Sequence, residues 1–450
     1  MKVELIQEYL TIPRGSILLN NKLVTFPFFT VGMQSKTDLD LLCDLIGMGG
    51  DLMKFTNSIQ AVSYRVFEHD KVVRHREYNL KQYNLNLNIV DKSYAQVNNA
   101  IKFVDPATDV FRLNYSKYID EYLTIDKNIP KYFQVYLKQI KENSEKDKKE
   151  REDYDLLHIR FWKGLFENSG RINVGHFIKW SEYLQKERKA DIFIAPTPYI
   201  KQESCEFLLE KAIDINRKSH DLVTGDVADS FFIDAGIFQN KKLIERLVDY
   251  LGITPSEMIL FKINGYENLV NRVYGSYALK NFKFLLNTIK TDYRYFKNKV
   301  RSYGLLNGGG FGYCLLGGGF DFFTDTVSSF EYYPSHPPKR RSTHRGTIGA
   351  ESLVYEKFES LKNLFDDYGE TPLPYHPQKK YDNIKQLYPL QINSKEWARD
   401  CKLNSMCLWN AYVNDNINGM INKDDRLVFD RISNSAFTQL SPIIKDLNSY

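Results

Sequence analysis

Three clusters along the chain combine residue types and spacings that can do chemistry. The first is Asp234-Ala235-Gly236-Ile237-Phe238-Gln239, directly after the apolar run Phe231-Phe232-Ile233. An acid at the C-terminal end of a buried strand can point into the mouth of a βα barrel, where burial tunes its proton affinity. Gly236 would let the backbone approach a ligand, while Phe238 can stack on a heterocycle and Gln239 can hydrogen-bond it. The same aspartate also suits a turn that caps a helix starting near Asn240, and the residue types leave both roles open.

The second cluster is a pair of glycine triplets, Gly308-Gly309-Gly310 and Gly317-Gly318-Gly319. Neither is followed by Gly-Lys-Ser/Thr, so this is not a P-loop, and the spacing does not match a dinucleotide fingerprint. Glycines at a strand end allow a base, a ribose or a phosphate to come close; tight turns between strands would use them equally well. The third cluster is Phe320-Asp321-Phe322-Phe323-Thr324-Asp325-Thr326. Asp321 and Asp325 supply the two carboxylates that a nucleophile and an assisting acid or base require. One of them as a helix cap before Val327 is the plainer alternative.

These clusters need a scaffold, and the flanking pattern predicts one. Strand-like apolar runs begin at 191, 231, 258, 303 and 320, mostly separated by segments of helix length. Ser204 to Ile215 and Lys241 to Leu251 carry apolar residues at helical spacing, and Leu269 to Phe296 is a longer amphipathic stretch. Alternating strand and helix implies a parallel sheet with crossovers. Both a doubly wound sheet and a closed barrel are allowed; the expected fold is a (β/α)8 TIM-like barrel with N-terminal and C-terminal α/β additions, because the strands keep coming and their ends carry the polar and glycine residues, where a barrel holds its active site. Residues 1–140 form an N-terminal portion, either the start of the barrel or a surface for protein partners. A charged linker or helix end follows at 141–153, then the barrel core at 154–335 and a C-terminal helical extension at 336–450.

Composition agrees with a large globular chain. Of 450 residues 43% are apolar and 26% charged, which excludes wholesale disorder and collagen-like or coiled-coil chains. The 30 Tyr and 29 Phe far exceed what any site needs, so most belong to the core. The net charge of +5 permits an anionic partner without requiring one. Four of the positives, Lys339, Arg340, Arg341 and Arg345, fall within seven residues, where they can contact phosphates or simply decorate an exposed loop. Five scattered cysteines make no disulfide framework, and the eight histidines show no helical metal-binding pair, so no histidine metal centre is expected. Met1-Lys2-Val3-Glu4 opens without a secretion signal, and no stretch is suited to span a membrane. The expected location is cytoplasmic.

At the first and third clusters the chain resembles the tRNA-guanine transglycosylase superfamily, including its relatives that insert 7-deazaguanine into DNA. That family carries an aspartate, small residues and then Phe-Gln after one barrel strand, as in Asp234 to Gln239. It also carries Gly-x-Asp-x-Phe-Asp after a glycine-rich strand, and here the text is Gly319-Phe320-Asp321-Phe322-Phe323-Thr324-Asp325. The resemblance covers about residues 190–335, with a shorter similarity near 400–432. It implies base exchange at a nucleoside: a carboxylate attacks the anomeric carbon, a purine leaves and a 7-deazapurine enters. Asp234 would hold the base or act as acid/base, and Asp325 or Asp321 would be the nucleophile. The family's nucleophile position falls on Thr324, and Asp325 fits it only with a slip of one residue.

The family also has a structural zinc held by three cysteines and a histidine. Here Cys401 and Cys407 are followed by Asp424 to Ile432, which holds no histidine, and two thiols cannot close a tetrahedral site. No zinc and no other cofactor is expected. The leading expectation is therefore a base-exchange glycosyltransferase-like barrel acting on a guanine nucleotide in tRNA or DNA through strand-end carboxylates. The competing expectation is a non-catalytic nucleic-acid-binding barrel within a multi-protein system. A third is a barrel hydrolase or lyase whose glycines grip the phosphate of a small metabolite.

Overall fold

The computed structural model describes residues 1–7, 14–32, 61–65, 100–106, 108, 159, 162–167, 173–202, 204–266, 269, 274–296, 299–308, 312, 315–316, 318–326, 346–348 and 355–357. The charged run 141–153, the basic cluster 339–345, Gly309, Gly310, Cys401 and Cys407 lie outside the described residues.

Three strands, β1 (Lys2–Gln7), β2 (Arg14–Leu19) and β3 (Lys22–Phe26), form an antiparallel meander. The chain continues through β4 (Phe28–Gly32), β5 (Ala61–Arg65), β6 (Ile101–Asp105), helix α1 (Val174–Glu187), β7 (Phe193–Ile194) and β8 (Tyr199–Ile200). Next come α2 (Cys205–Leu222), β9 (Val227–Asp234), α3 (Lys241–Ile253), β10 (Met258–Asn264) and α4 (Gly275–Lys290). A small hairpin of β11 (Tyr295–Phe296) and β12 (Lys299–Val300) precedes β13 (Ser302–Leu305) and β14 (Phe322–Thr326). The short strands β15 (Gly346–Ile348) and β16 (Tyr355–Lys357) pair only with each other.

Nine strands make one sheet in the order β6-β5-β4-β14-β13-β10-β9-β7, with β8 also beside β9. Every pairing in it is parallel. The sheet is curled, and Asp191, just before β7, donates its backbone N–H to the Lys102 carbonyl of β6 at 3.0 Å. The protein is thus a mixed α/β chain built on a curled parallel sheet that includes strands from the first 105 residues.

Burial explains why these segments became strands and helices. β9 and β10 are covered on both faces, as central parallel strands must be, and so read as nearly continuous apolar runs. The helices bury one stripe each, such as Leu243, Ile244, Leu247, Val248 and Leu251 of α3. Inside the curl, Phe28, Ala61, Ile101, Phe103, Ala228, Phe232, Met258, Leu260 and Phe322 share one core cluster. Phe322 stacks on Phe28 at 4.5 Å between ring centroids. Its ring occupies the space beside Gly304, where an added Cβ would lie 2.3 Å from Phe322 Cζ.

The same cluster includes Ile17 and Leu19 of β2 and Val24 and Phe26 of β3. They pack with residues at the starts of strands, Phe28, Ala61, Ile101 and Met258, so the meander covers the N-terminal end of the curled sheet. A clasp fastens it there. Lys22 Nζ reaches Asp191 Oδ2 at 2.5 Å and the Ala100 carbonyl at 3.1 Å, while the Lys102 N–H donates to Asp191 Oδ2 at 2.9 Å. Burial, followed by the neighbouring Lys22, pushes the Lys102 ammonium down to about 7. With that end covered, the polar chemistry collects at the C-terminal ends of the strands.

Candidate functional site

Asp234 closes β9, and its carboxylate is held from two directions. Oδ1 accepts the Gly236 N–H at 2.8 Å, and Oδ2 accepts the hydroxyl of Tyr199 at 2.9 Å. The first bond caps the 3-10 turn Ala235–Gln239, so the capping role and the strand-end position occur together in one residue. Tyr199 is fully buried, which fixes the hydroxyl and hence the carboxylate. Gly236 is there for close approach. A Cβ on it would lie 3.0 Å from both Asp234 Oδ1 and Gln202 Oε1.

Beside Asp234 opens a cleft of about 490 Å³ lined by residues that include Gln202, Cys205, Gly236, Gln239, Asn240 and Lys241. Gly236 and Gln239 thus both border it. Phe238 does not: its ring packs on Phe282 at 5.0 Å, and its carbonyl accepts from Asn281 Nδ2 at 2.7 Å, inside the layer between the turn and α4. Burial pushes the Cys205 thiol up, away from the reactive thiolate.

A second polar group stands on the neighbouring strands. Lys262, 1% exposed, lies across from Phe232 on β9 and holds its ammonium 5.5 Å over that ring. Its Nζ is 3.3 Å from Oδ2 of Asp105, the last residue of β6. Two residues on, Asn264 is the register partner of Asp234. Its Nδ2 is buried with no hydrogen-bond partner, as is Oγ1 of Thr30 on β4. Leaving such a group unpaired costs about 1–3 kcal/mol, so each is either a liability or a binding contact.

Of the remaining expected residues, Asp321 lies elsewhere. Asp321 precedes β14 and stands at the opposite end of the strands from Asp234. Its two oxygens take the Arg294 guanidinium at 2.6 and 2.9 Å, and Oδ2 also accepts the Tyr303 N–H at 2.9 Å. Tyr303 is level with Ile259, which is level with Asp229, and Asp234 lies five residues further along β9. That separation is about 16 Å along the strands, too far for two carboxylates to share a reacting carbon. Complete burial pushes the Asp321 carboxyl up, and the Arg294 guanidinium opposes that push. Asp321 is a structural ion pair.

Asp325 lies within β14 with its Cα level with Val31. Thr324 accepts the Asn307 N–H at 2.7 Å through Oγ1. Gly308 donates its N–H to the Thr324 carbonyl, and a Cβ there would meet Leu305 Cδ2 at 2.8 Å, so this glycine serves a tight turn. Gly309, Gly310, Lys339, Arg340, Arg341 and Arg345 are outside the described residues.

Tyr199, Gln202, Asp105, Lys262, Asn264 and Thr30 were missed by the reading of sequence. A lysine inside the apolar run Met258–Ile263 was the available signal for Lys262, since an amine is placed in a buried strand only with a partner. Asp105, which ends Ile101-Lys102-Phe103-Val104, repeats the pattern that marked Asp234. Among the described residues no cluster of His, Cys, Asp and Glu could hold a metal ion, and no helix is long and apolar enough to cross a membrane. No protein-family model and no curated protein sequence matches the chain.

Proposed function

We propose that the parallel sheet closes as a complete (β/α)8 barrel and that its C-terminal mouth exchanges a base at a guanine nucleotide of tRNA or DNA. In support of closure, the strands β4, β5, β6, β7, β9, β10, β13 and β14 succeed one another in chain order around the path, and the Asp191–Lys102 bond joins its ends. The observation that carries the function is the placement of two carboxylates, Asp105 and Asp234, at strand C-terminal ends with side chains that orient them.

In this reading one carboxylate attacks the anomeric carbon as the bond to the purine nitrogen breaks. The other carboxyl, in its acid form, gives the departing base a proton at that nitrogen. The incoming base then displaces the first carboxylate and returns its own proton to that second carboxylate, so no net charge accumulates. Tyr199 and the Gly236 N–H hold Asp234 in one rotamer, and Lys262 does the same for Asp105. Precise placement is worth more here than strength of binding. The cleft beside Gly236, Gln239 and Lys241 receives the flanking nucleotide, and the basic cluster at 339–345 contacts phosphates.

The competing reading is a barrel that only binds nucleic acid, and the capture of Asp321 by Arg294 favours it by removing one expected catalytic carboxylate. Asp105→Asn and Asp234→Asn separate the two. Catalysis requires that both abolish incorporation of labelled guanine into tRNA or DNA while binding stays within about threefold of wild type. Loss of binding on Arg340→Ala with Arg341→Ala, and no effect of either Asp variant, supports the binding barrel instead.

A further inference from the structure

The inner wall of the mouth is divided by hydrogen-bonding character. On β6, β8 and β9 the described polar groups are the carboxylates Asp105 and Asp234 with the tyrosine that holds one of them. On β10, β13, β14 and β4, apart from Lys262 of β10, they are amides and hydroxyls. Asn264 Nδ2, Asn307 Nδ2 and Thr30 Oγ1 are all buried without a partner, and Asn264 and Thr30 are 1% and 0% exposed. Thr324 Oγ1 accepts from the Asn307 N–H, so its own hydrogen remains to be donated. Lys262 stands between the two halves.

We infer that the ends of β10, β13, β14 and β4 form a seat for a phosphate group. The unpaired groups come from β10, from the turn two residues past β13 and from β4, so one carbonyl oxygen with two lone pairs cannot satisfy them all. The terminal oxygens of a phosphate point in three directions and accept from every side. β13 and β14 are the seventh and eighth strands on the path that starts at β4, and in closed βα barrels the loops after those two strands are the usual place for phosphate. The local backbone is shaped for close approach: Asn307 adopts φ 53° and Gly308 turns against Gly312, where a Cβ would meet Gly312 Cα at 2.9 Å. This inference goes beyond base exchange and does not require it. The phosphate belongs either to the bound nucleotide or to a free anion.

Titration calorimetry with inorganic phosphate, guanosine and guanosine 5′-monophosphate tests it on the whole chain. Wild type is expected to bind phosphate saturably, and Thr30→Val and Asn264→Asp are each expected to weaken it about tenfold or more, the second by repulsion. Thr30→Val only removes a buried unpaired hydroxyl, so it keeps the test decisive if Asn264→Asp fails to fold. Tighter binding of the monophosphate than of guanosine assigns the seat to the nucleotide. Equal binding of those two, with phosphate still bound, assigns it to a free anion. Absence of saturable phosphate binding, or binding that neither variant changes, overturns the inference. A failed base-exchange assay alongside phosphate binding would reject only the proposed function.

Discussion

Asn264 and Asp234 are Cα partners at the ends of adjacent parallel strands, and they stand in opposite states. Both Asp234 oxygens accept hydrogen bonds, from Tyr199 and from Gly236, whereas Asn264 Nδ2 is buried with no partner. One residue is held in place and its neighbour is left to be completed. Function and stability therefore pull in different directions at this register. Asn264→Leu removes a desolvated donor and should leave unfolding free energy unchanged or raise it by about 1 kcal/mol. Asp234→Leu strands a tyrosine hydroxyl and an amide and should lower it by about 1–3 kcal/mol. Urea denaturation of both variants checks the contrast, and equal losses would contradict it.

The buried pair Asp321–Arg294 predicts a loss of stability without a specific loss of chemistry. Asp321→Asn leaves Arg294 buried and unpaired, which should cost about 3–5 kcal/mol. Adding Arg294→Met should recover much of that, because the uncompensated charge goes with it. If Asp321→Asn folds with wild-type stability, the structural assignment fails.

Gly304 faces the aromatic interior, and its lack of a side chain is a packing requirement. Gly304→Ala would place a methyl 2.3 Å from Phe322 Cζ and 2.8 Å from Leu260 Cδ2. The rings and β13 must shift, at a cost of at least about 1–3 kcal/mol. Thermal unfolding should show a clearly lowered midpoint.

Much of the half of the sheet from β7 to β14 was legible in the sequence, because helical stripes and apolar runs alternate plainly there. Expected strand starts at 191, 231, 258, 303 and 320 compare with 193, 227, 258, 302 and 322. Strands β4 to β6 were not legible as strands of this sheet, since runs such as Phe28–Gly32 sit among polar segments and gain their meaning only from partners far along the chain. Thr254-Pro255-Ser256-Glu257 has the form of a capping box but leads directly into the apolar run from Met258, which is β10. Thr254 instead ends α3 and donates to Asp229 Oδ2, and Ser256 bonds the carbonyls of Val227 and Met258. Gly252 reads as a helix stop but lies within α3, where it makes room for the Tyr293 hydroxyl. Of the site, Asp234, Gly236 and Gln239 were visible through their position after a strand. Tyr199, Asp105 and Asn264 were not, because their roles arise from register between strands.

The clasp at the covered end gives a pH dependence with a definite sign. Lys102 titrates near 7 in the folded protein against 10.5 as the ordinary value, so between those limits the unfolded chain binds the extra proton. Stability must then rise as pH increases through that window, by on the order of 1 kcal/mol per pH unit from this group. It is lost as pH falls toward 7. Denaturation of wild type and Lys102→Met at pH 7, 8 and 9 should show the rise in wild type and a flatter profile in the variant.

The central claim, base exchange at the strand-end carboxylates, is tested most directly by release of labelled guanine. The substrate is tRNA or duplex DNA carrying the label, chased with free guanine and 7-deazaguanine. The account predicts release by wild type from one of the two nucleic acids, and at least about 100-fold slower release by Asp234→Asn with binding preserved. Release at the wild-type rate by Asp234→Asn, or none from either nucleic acid by wild type, would contradict it.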